Sequence, residues 1–147
     1  MLERDYVLRL IQLFAQAVAR ILGLKRAGQL DDALEAVSLT ADEIFGTLRI
    51  TLDAIDPQSA ARLLASQEKI EVYAILTAEE ASIFELKGDL ARATNGYRRA
   101  LSFYLEAELL ELTISDEASA AISELRSKVD ESTLPERYRD ALASRET

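Results

Sequence analysis

Apolar side chains recur at intervals of three and four residues through most of this chain, and few residues interrupt the pattern. The clearest run lies within residues 3–26, where seven apolar residues follow helical spacing: Val7, Leu10, Ile11, Phe14, Val18, Ile21 and Leu22. Only two prolines and five glycines occur among 147 residues, and no segment alternates in the manner of a β-strand. The pattern predicts an all-α fold.

The few helix-breaking residues predict where helices begin and end. Gly28 follows the first helix, and a second helix is predicted over 30–55, weakened at Gly46 because glycine disfavours a helix interior. Asp56 and Pro57 suit an N-cap and a first helical position. Five further helices are predicted over 57–65, 66–87, 90–112, 115–129 and 133–145, the last opened by Thr133 and Glu136 at capping-box spacing. We therefore expect an irregular bundle of about six or seven helices, forming one domain over 1–147 with its core in 2–130.

The helix predicted over 66–87 is apolar on more than one side. One stripe contains Ile70, Tyr73, Ala74, Thr77, Ala81 and Phe84, and a second contains Val72, Leu76, Ile83 and Leu86. A helix with two apolar faces has neighbours on both. We therefore expect this helix at the centre of the bundle.

A short pattern, G-x-L-x-x-A, occurs at 28–33 and again at 88–93, each time between two predicted helices. Glycine permits the positive φ that ends the first helix. The leucine is expected to anchor the second helix, and the small alanine allows the two helices to approach closely. Both copies therefore predict a tight helical hairpin.

The second copy resembles a tetratricopeptide repeat. Six residues match that motif in order and spacing: Phe84, Gly88, Asp89, Ala93, Tyr97 and Ala100. The chain departs from the motif at Thr77, Glu80 and Ala81, and no proline closes the unit. The two copies are also 60 residues apart, whereas tandem repeats recur about every 34 residues. The resemblance implies tetratricopeptide-like hairpins within a bundle, and a surface that binds a protein or peptide.

The segment RDYVLRLIQLFAQAVARILGLKRAGQLDDAL, together with the later hairpin, also resembles an uncharacterised family of small, all-helical bacterial proteins. This second resemblance extends over most of residues 1–107. It implies an all-helical fold and a bacterial origin. Because that family has no assigned activity, the resemblance implies no functional residue.

The charge of the chain argues against a nucleic-acid partner, and its hydropathy argues against a membrane span. The net charge is −9, and phosphate binding requires clustered Lys and Arg. Residues 1–28 are basic, whereas 100–125 contain six acids and no basic residue, so these segments could attract each other or remain as two solvated faces. No apolar window is long enough to span a bilayer, and the N-terminus lacks the pattern of a secretory signal. We expect a cytoplasmic protein.

The chemistry available to the side chains is limited. The sequence contains no His and no Cys, which are the commonest general base, nucleophile and transition-metal ligands. No phosphate-binding or nucleophile-elbow motif occurs. We therefore expect no enzyme activity, no catalytic residue, no metal site and no cofactor.

Carboxylates are the remaining candidates for site chemistry. Glu79 and Glu80 lie beside the apolar stripes of the central helix, where burial could make one of them an acid or base. Alternatively they lie near an open end or pair with arginines of the next helix: Arg92, Arg98 or Arg99. Another acidic group, Glu106, Glu108 and Glu111, could bind a cation such as Mg²⁺, although a solvated helix face explains it more simply.

Two functions remain open from the sequence. The first is a non-enzymatic scaffold or adaptor that binds a protein or peptide, or forms a homodimer through 2–22. The second is a small-molecule sensor or carrier with a pocket near Tyr73, Glu80 and Tyr97. Candidate contact residues for a partner or ligand are Tyr6, Leu13, Tyr73, Glu80, Tyr97 and Arg98. Four aromatics are expected in the core, Phe14, Phe45, Phe84 and Tyr97, whereas Tyr138 is a candidate for an exposed contact.

Overall fold

The computed structural model describes residues 2–111 and 115–145, which form eight α-helices and one 3-10 turn and contain no β-strand. The α-helices are α1 (Leu2–Arg26), α2 (Leu30–Phe45), α3 (Leu48–Ala54), α4 (Pro57–Leu64), α5 (Gln67–Leu86), α6 (Leu90–Glu111), α7 (Asp116–Arg126) and α8 (Glu136–Ser144); the 3-10 turn is Glu131–Thr133. The predicted all-α bundle is confirmed. Within these ranges, no helix combines the length and the apolar character needed to cross a bilayer.

The antiparallel pair of α5 and α6 forms the centre of the bundle. Helix α5 contacts α1, α2, α4 and α6, and α6 also contacts α4, α7 and α8. Both apolar stripes of α5 supply buried residues: Ile70, Tyr73, Ala74 and Ala81 from the first, Leu76 and Ile83 from the second. The predicted central position of this helix is confirmed.

A close approach of backbones joins the two central helices. A Cβ atom added at Gly96 of α6 would lie 2.8 Å from the Cβ of Ala81 on α5, closer than real Cβ atoms come. Ala81 itself is fully buried. Small residues at both positions therefore set the separation of α5 and α6.

The two G-x-L-x-x-A copies fold into the same type of bend. Gly28 and Gly88 have φ of +75° and +85°, and each donates its amide to the carbonyl three residues earlier at 3.0 Å. The next amides, of Gln29 and Asp89, bond to the carbonyl five residues earlier, both at 2.9 Å. These are the paired hydrogen bonds of a Schellman helix end.

The small residues of both copies pack as expected, but one leucine does not. Ala33 and Ala93 are buried, and Leu30 is half-buried against the core. Leu90, the corresponding residue of the second copy, is 65% exposed. The expectation that leucine anchors the second helix is therefore wrong at Leu90, because α6 is already held along its length by α5 and begins at the edge of the bundle.

The helix predicted over 30–55 is broken into two. Gly46 has φ +59° and ψ −139°, a conformation that is nearly restricted to glycine, so α2 ends at Phe45 and α3 begins at Leu48. The glycine was expected only to weaken a continuous helix. This break raises the number of helices and turns α3 toward the central pair.

Side-chain caps form at three helix starts, and the predicted cap at Thr133 is absent. Asp56, Ser66 and Ser115 accept hydrogen bonds from backbone amides at the starts of α4, α5 and α7. The predicted capping box at Thr133 does not form. Its hydroxyl donates to the carbonyl of Asp130 within the 3-10 turn, and α8 begins after Pro135 without a side-chain cap.

The aromatic residues divide into core and surface. Phe14, Phe45 and Tyr97 are buried as predicted, and Phe84 is half-buried against the core. Tyr138 was expected to be an exposed contact, but it is only 4% exposed because α8 packs against α6.

Candidate functional site

A concave cleft lies beside the central helix pair, bounded by α2, α3, α5 and α6, with a volume of about 360 Å³. We call it the arginine cleft and define it by its charged and phenolic lining: Arg49, Asp53, Tyr73, Glu80, Arg92 and Arg99. Three guanidinium groups in one cleft stand out in a chain whose net charge is −9.

Helical spacing explains why these side chains face one cavity. Tyr73 and Glu80 of α5 are seven residues apart, as are Arg92 and Arg99 of α6, so each pair lies on one face of its helix. Helix α3 adds Arg49 and Asp53 from the third side, where it contacts α2 after the break at Gly46.

Arg49 and Asp53 are already engaged in contacts within the protein. The Arg49 Nε lies 3.4 Å from an Asp53 oxygen, and its Nη1 donates to Asp42 at 2.9 Å. The Tyr73 hydroxyl donates to the other Asp53 oxygen. Burial, and then this hydrogen bond, raises the pKa of the Tyr73 phenol, so Tyr73 remains a neutral donor.

Arg99 is also engaged, although with backbone rather than a carboxylate. Its guanidinium donates to the carbonyl oxygens of Ile55 at 3.0 Å and Leu52 at 2.5 Å, which lie at the C-terminal end of α3. The same group lies 5.0 Å from the centre of the Phe103 ring. Arg99 therefore fixes α3 against α6, and its positive charge suits a helix C-terminus.

Glu80 differs from its neighbours because its side chain is half-buried and forms no hydrogen bond or ion pair with any of the described residues. Burial raises the pKa of its carboxyl group, and the charge of Asp53 raises it further. Arg49 and Arg92 oppose this effect from a distance. The cleft therefore contains a carboxyl group whose hydrogen-bonding capacity is not used by the protein.

A second cavity of about 390 Å³ lies on the opposite face of α5. We call it the tyrosine cleft and define it by Lys25, Glu79, Glu85, Tyr97, Tyr104 and Lys128. Most of its charges are paired within the protein: Lys25 donates to Glu79 at 2.9 Å and Lys128 donates to Glu85 at 3.2 Å. The Tyr97 hydroxyl also donates to Glu85, at 2.9 Å.

The structure brings together only some of the predicted contact residues. Tyr73 and Glu80 share the arginine cleft, whereas Tyr97 lies in the tyrosine cleft. Arg98 donates to Thr133 at 3.1 Å and so attaches α6 to the 3-10 turn. Tyr6, which is 56% exposed, lies on α1 away from both clefts.

Leu13 is half-buried on the same helix as Tyr6 and lines neither cleft.

The adjacent glutamates of α5, Glu79 and Glu80, face different cavities. Glu79 bonds to Lys25 of α1 rather than to an arginine of the next helix, and Glu80 faces the arginine cleft. Two adjacent acids therefore serve different cavities because neighbouring positions on a helix point about 100° apart.

The two described side chains of the acidic group, Glu106 and Glu108, do not form a solvated face. Arg137 of α8 holds Glu106 through two hydrogen bonds, and Arg145 donates to Glu108 at 3.0 Å. The side chain of Glu111 and residues 112–114 lie outside the described residues. Among those described, no group of three or more potential ligands could hold a metal ion. Glu106 and Glu108 of the acidic segment therefore pair with Arg137 and Arg145 near the C-terminus, and not with a described residue of the basic first helix.

Sequence reasoning missed Arg49 and Asp53, because a continuous second helix gives no reason to place them beside Glu80. Gly46 was the available signal, since a break there lets the following residues turn back toward α5.

Comparisons with protein-family models, with curated proteins and with solved structures found no match to this chain. The two family resemblances therefore stay predictions.

Proposed function

We propose that this protein is a non-enzymatic binding module that holds a small charged ligand in the arginine cleft. The observation that carries the proposal is the carboxyl group of Glu80, which faces a cavity without a hydrogen-bond partner among the described residues. The Glu80 side chain is half-buried and burial raises the pKa of its carboxyl group; titratable groups shifted in this way within a cleft cluster at functional sites.

The size and lining of the cleft support this function. Its volume of about 360 Å³ lies within the range of small-molecule sites. Two of its charged groups are held in place by other contacts: Arg49 by Asp42 and Asp53, and Arg99 by backbone carbonyls. The part of the wall that these groups form is already ordered and loses less entropy when a ligand binds.

The absence of catalysis is the part of the proposal that rests on the sequence. With no His and no Cys, the chain lacks the usual groups that activate a nucleophile near neutral pH. The cytoplasmic location and bacterial origin expected from the sequence belong to the same proposal.

Thermal-shift screening of the full chain against a metabolite library tests this function. A ligand that binds the native state raises Tm, and at 100 times its Kd it adds about 2.7 kcal/mol of stability. We expect at least one charged metabolite to raise the Tm of the wild type but not of Glu80→Gln. Glu79→Gln is the matched control, because Glu79 lies in the tyrosine cleft. No response across the library, or an equal response of Glu80→Gln, contradicts the proposal.

Binding of a protein partner or of a second copy is a second candidate, favoured by exposed apolar residues on α1. Leu8 and Ile11, three residues apart on one face, are both exposed. Ile11 also borders a small apolar cavity with Ile44 and Val72. The tetratricopeptide-like hairpins expected from the sequence are consistent with this role.

Light scattering at high micromolar concentration tests self-association. We expect a dimer that Ile11→Glu dissociates and that Gln12→Glu, at an adjacent exposed position, leaves intact. A monomer for the wild type rejects the homodimer.

A further inference from the structure

Two charged groups of the arginine cleft, Glu80 and the terminal nitrogens of Arg92, have no partner among the described residues, and they indicate the class of ligand. We propose that the cleft binds a small zwitterion, with a cationic nitrogen at the carboxylate of Glu80 and an anionic oxygen at the guanidinium of Arg92. This inference rests on the proposed function and adds the chemistry of its ligand.

Glu80 supplies the cation-binding end. Its carboxyl group lines the cavity and forms no hydrogen bond or ion pair with a described residue. The Glu80 side chain is half-buried and has no ion-pair partner among the described residues, so burial disfavours its charged form. An ammonium or guanidinium group on a ligand would supply the missing partner through a charge-assisted hydrogen bond.

Arg92 supplies the anion-binding end. Its side chain is 70% exposed, and its one ion pair among the described residues is a long contact of 3.5 Å from Nε to Asp89. The guanidinium lies 5.3 Å from the centre of the Phe84 ring, which supports its plane at the edge of the cleft. No described residue accepts a hydrogen bond from its terminal nitrogens, so a carboxylate or phosphate oxygen can use that edge.

The other charged groups of the cleft disfavour a ligand that carries only a positive or only a negative charge. Arg49 is held by Asp42 and Asp53, and Arg99 by the end of α3, but their charges still act across the cleft. A simple amine would approach three guanidinium groups, and a simple anion would approach the Glu80 carboxylate. A zwitterion meets an opposite charge at both ends, so the cleft discriminates against either half alone.

Nuclear magnetic resonance titration of the ¹⁵N-labelled full chain tests the inference. The probes are ω-amino acids of increasing length, from glycine to 6-aminohexanoate, with butylamine and butyrate as single-charge analogues. We expect one ω-amino acid to shift the amide signals of Thr77 and Asn95, which line the arginine cleft, and not that of Ser82 in the tyrosine cleft.

Both analogues should bind at least about tenfold more weakly than that ω-amino acid, a difference of about 1.4 kcal/mol. Glu80→Gln and Arg92→Gln should each weaken its binding about tenfold, whereas the control Glu79→Gln should not. Circular dichroism and Tm of each variant confirm that it is folded.

Several outcomes overturn the inference. Butyrate binding as tightly as the ω-amino acid removes the role of Glu80, and butylamine doing so removes that of Arg92. No binding of any ω-amino acid up to about 10 mM, where even a Kd of 1 mM would be nearly saturated, rejects the zwitterion. If no ω-amino acid binds but a library ligand still stabilises the wild type and not Glu80→Gln, the zwitterion is rejected while the proposed function stands.

Discussion

Arg137 of α8 holds the carboxylate of Glu106 on α6 through two hydrogen bonds, of 2.9 Å from Nε and 3.0 Å from Nη2. The Glu106 side chain is only 5% exposed. The pair is therefore a buried carboxylate whose charge is compensated by a residue 31 positions later in the chain.

Arg137→Met should destabilise the protein strongly, because it leaves a buried carboxylate without its counter-ion. Breaking a buried pair costs about 3–5 kcal/mol, and the partial exposure of Arg137 reduces the expected loss to about 2 kcal/mol. Urea denaturation measures the change. Arg139→Met, at an exposed position of the same helix, is the control and should change stability little. Equal stability of the two variants would show that Glu106 does not need Arg137.

Glu80→Gln should stabilise the protein near neutral pH. Burial raises the pKa of Glu80 in the folded state above its ordinary value of 4.5, so the native protein holds this proton more tightly than the unfolded chain does. Stability therefore falls as pH rises from 4.5 through the higher native value. The charged groups that act on it are Asp53 and Arg49 of α3 and Arg92 of α6.

The measurement for Glu80→Gln is Tm as a function of pH without ligand. We expect a gain of roughly 2–4 °C at pH 7, the shift for about 1 kcal/mol in a chain of this size, and little gain near pH 4. Glu79→Gln should show no such gain, because Glu79 has the counter-ion Lys25. A Glu80→Gln variant that is less stable than the wild type at pH 7 would rule out an uncompensated carboxylate.

Gly96→Ala should separate the two central helices. The added Cβ would meet the Cβ of Ala81 at 2.8 Å, so the backbones must move apart, at a cost of about 1–3 kcal/mol. Gly23→Ala is the matched control, because a Cβ there meets nothing within 4 Å. Alanine favours a helix interior over glycine, so the control should gain up to about 1 kcal/mol. The prediction fails if both variants change chemical denaturation midpoints in the same direction.

Gly46→Ala should disturb both stability and the arginine cleft. The backbone at Gly46, with φ +59° and ψ −139°, disfavours any residue with a Cβ, by about 1–3 kcal/mol. A relaxed backbone there would displace Arg49 and Asp53, which α3 presents to the cleft. Thermal unfolding measures the loss, and the resonances of Tyr73 report the cleft. Unchanged Tyr73 signals would show that α3 holds its position without this turn.

The helices could be predicted largely from the sequence because their ends carry local signals. Asp56, Ser66 and Gly88 act within one turn of their own positions, and each lies where a helix begins or ends. Gly46 was harder, because a glycine inside a helix pattern can be tolerated or can end the helix. The choice depends on what the following segment packs against, and that information is not local.

The candidate site was predictable only in part for the same reason. Tyr73 and Glu80 belong to one helix, and their shared face follows from spacing alone. Arg49 comes from another segment, and its approach depends on the turn at Gly46. Glu106 was interpreted as solvated because nothing in its neighbourhood indicates that α8 covers it.

The α5–α6 pair is a common partition, with the arginine cleft on one side and the tyrosine cleft on the other. Gly96 and Ala81 bring the backbones of the two helices close together at this wall. Because α5 and α6 line both cavities, any movement of one of these helices against the other would change the shape of both.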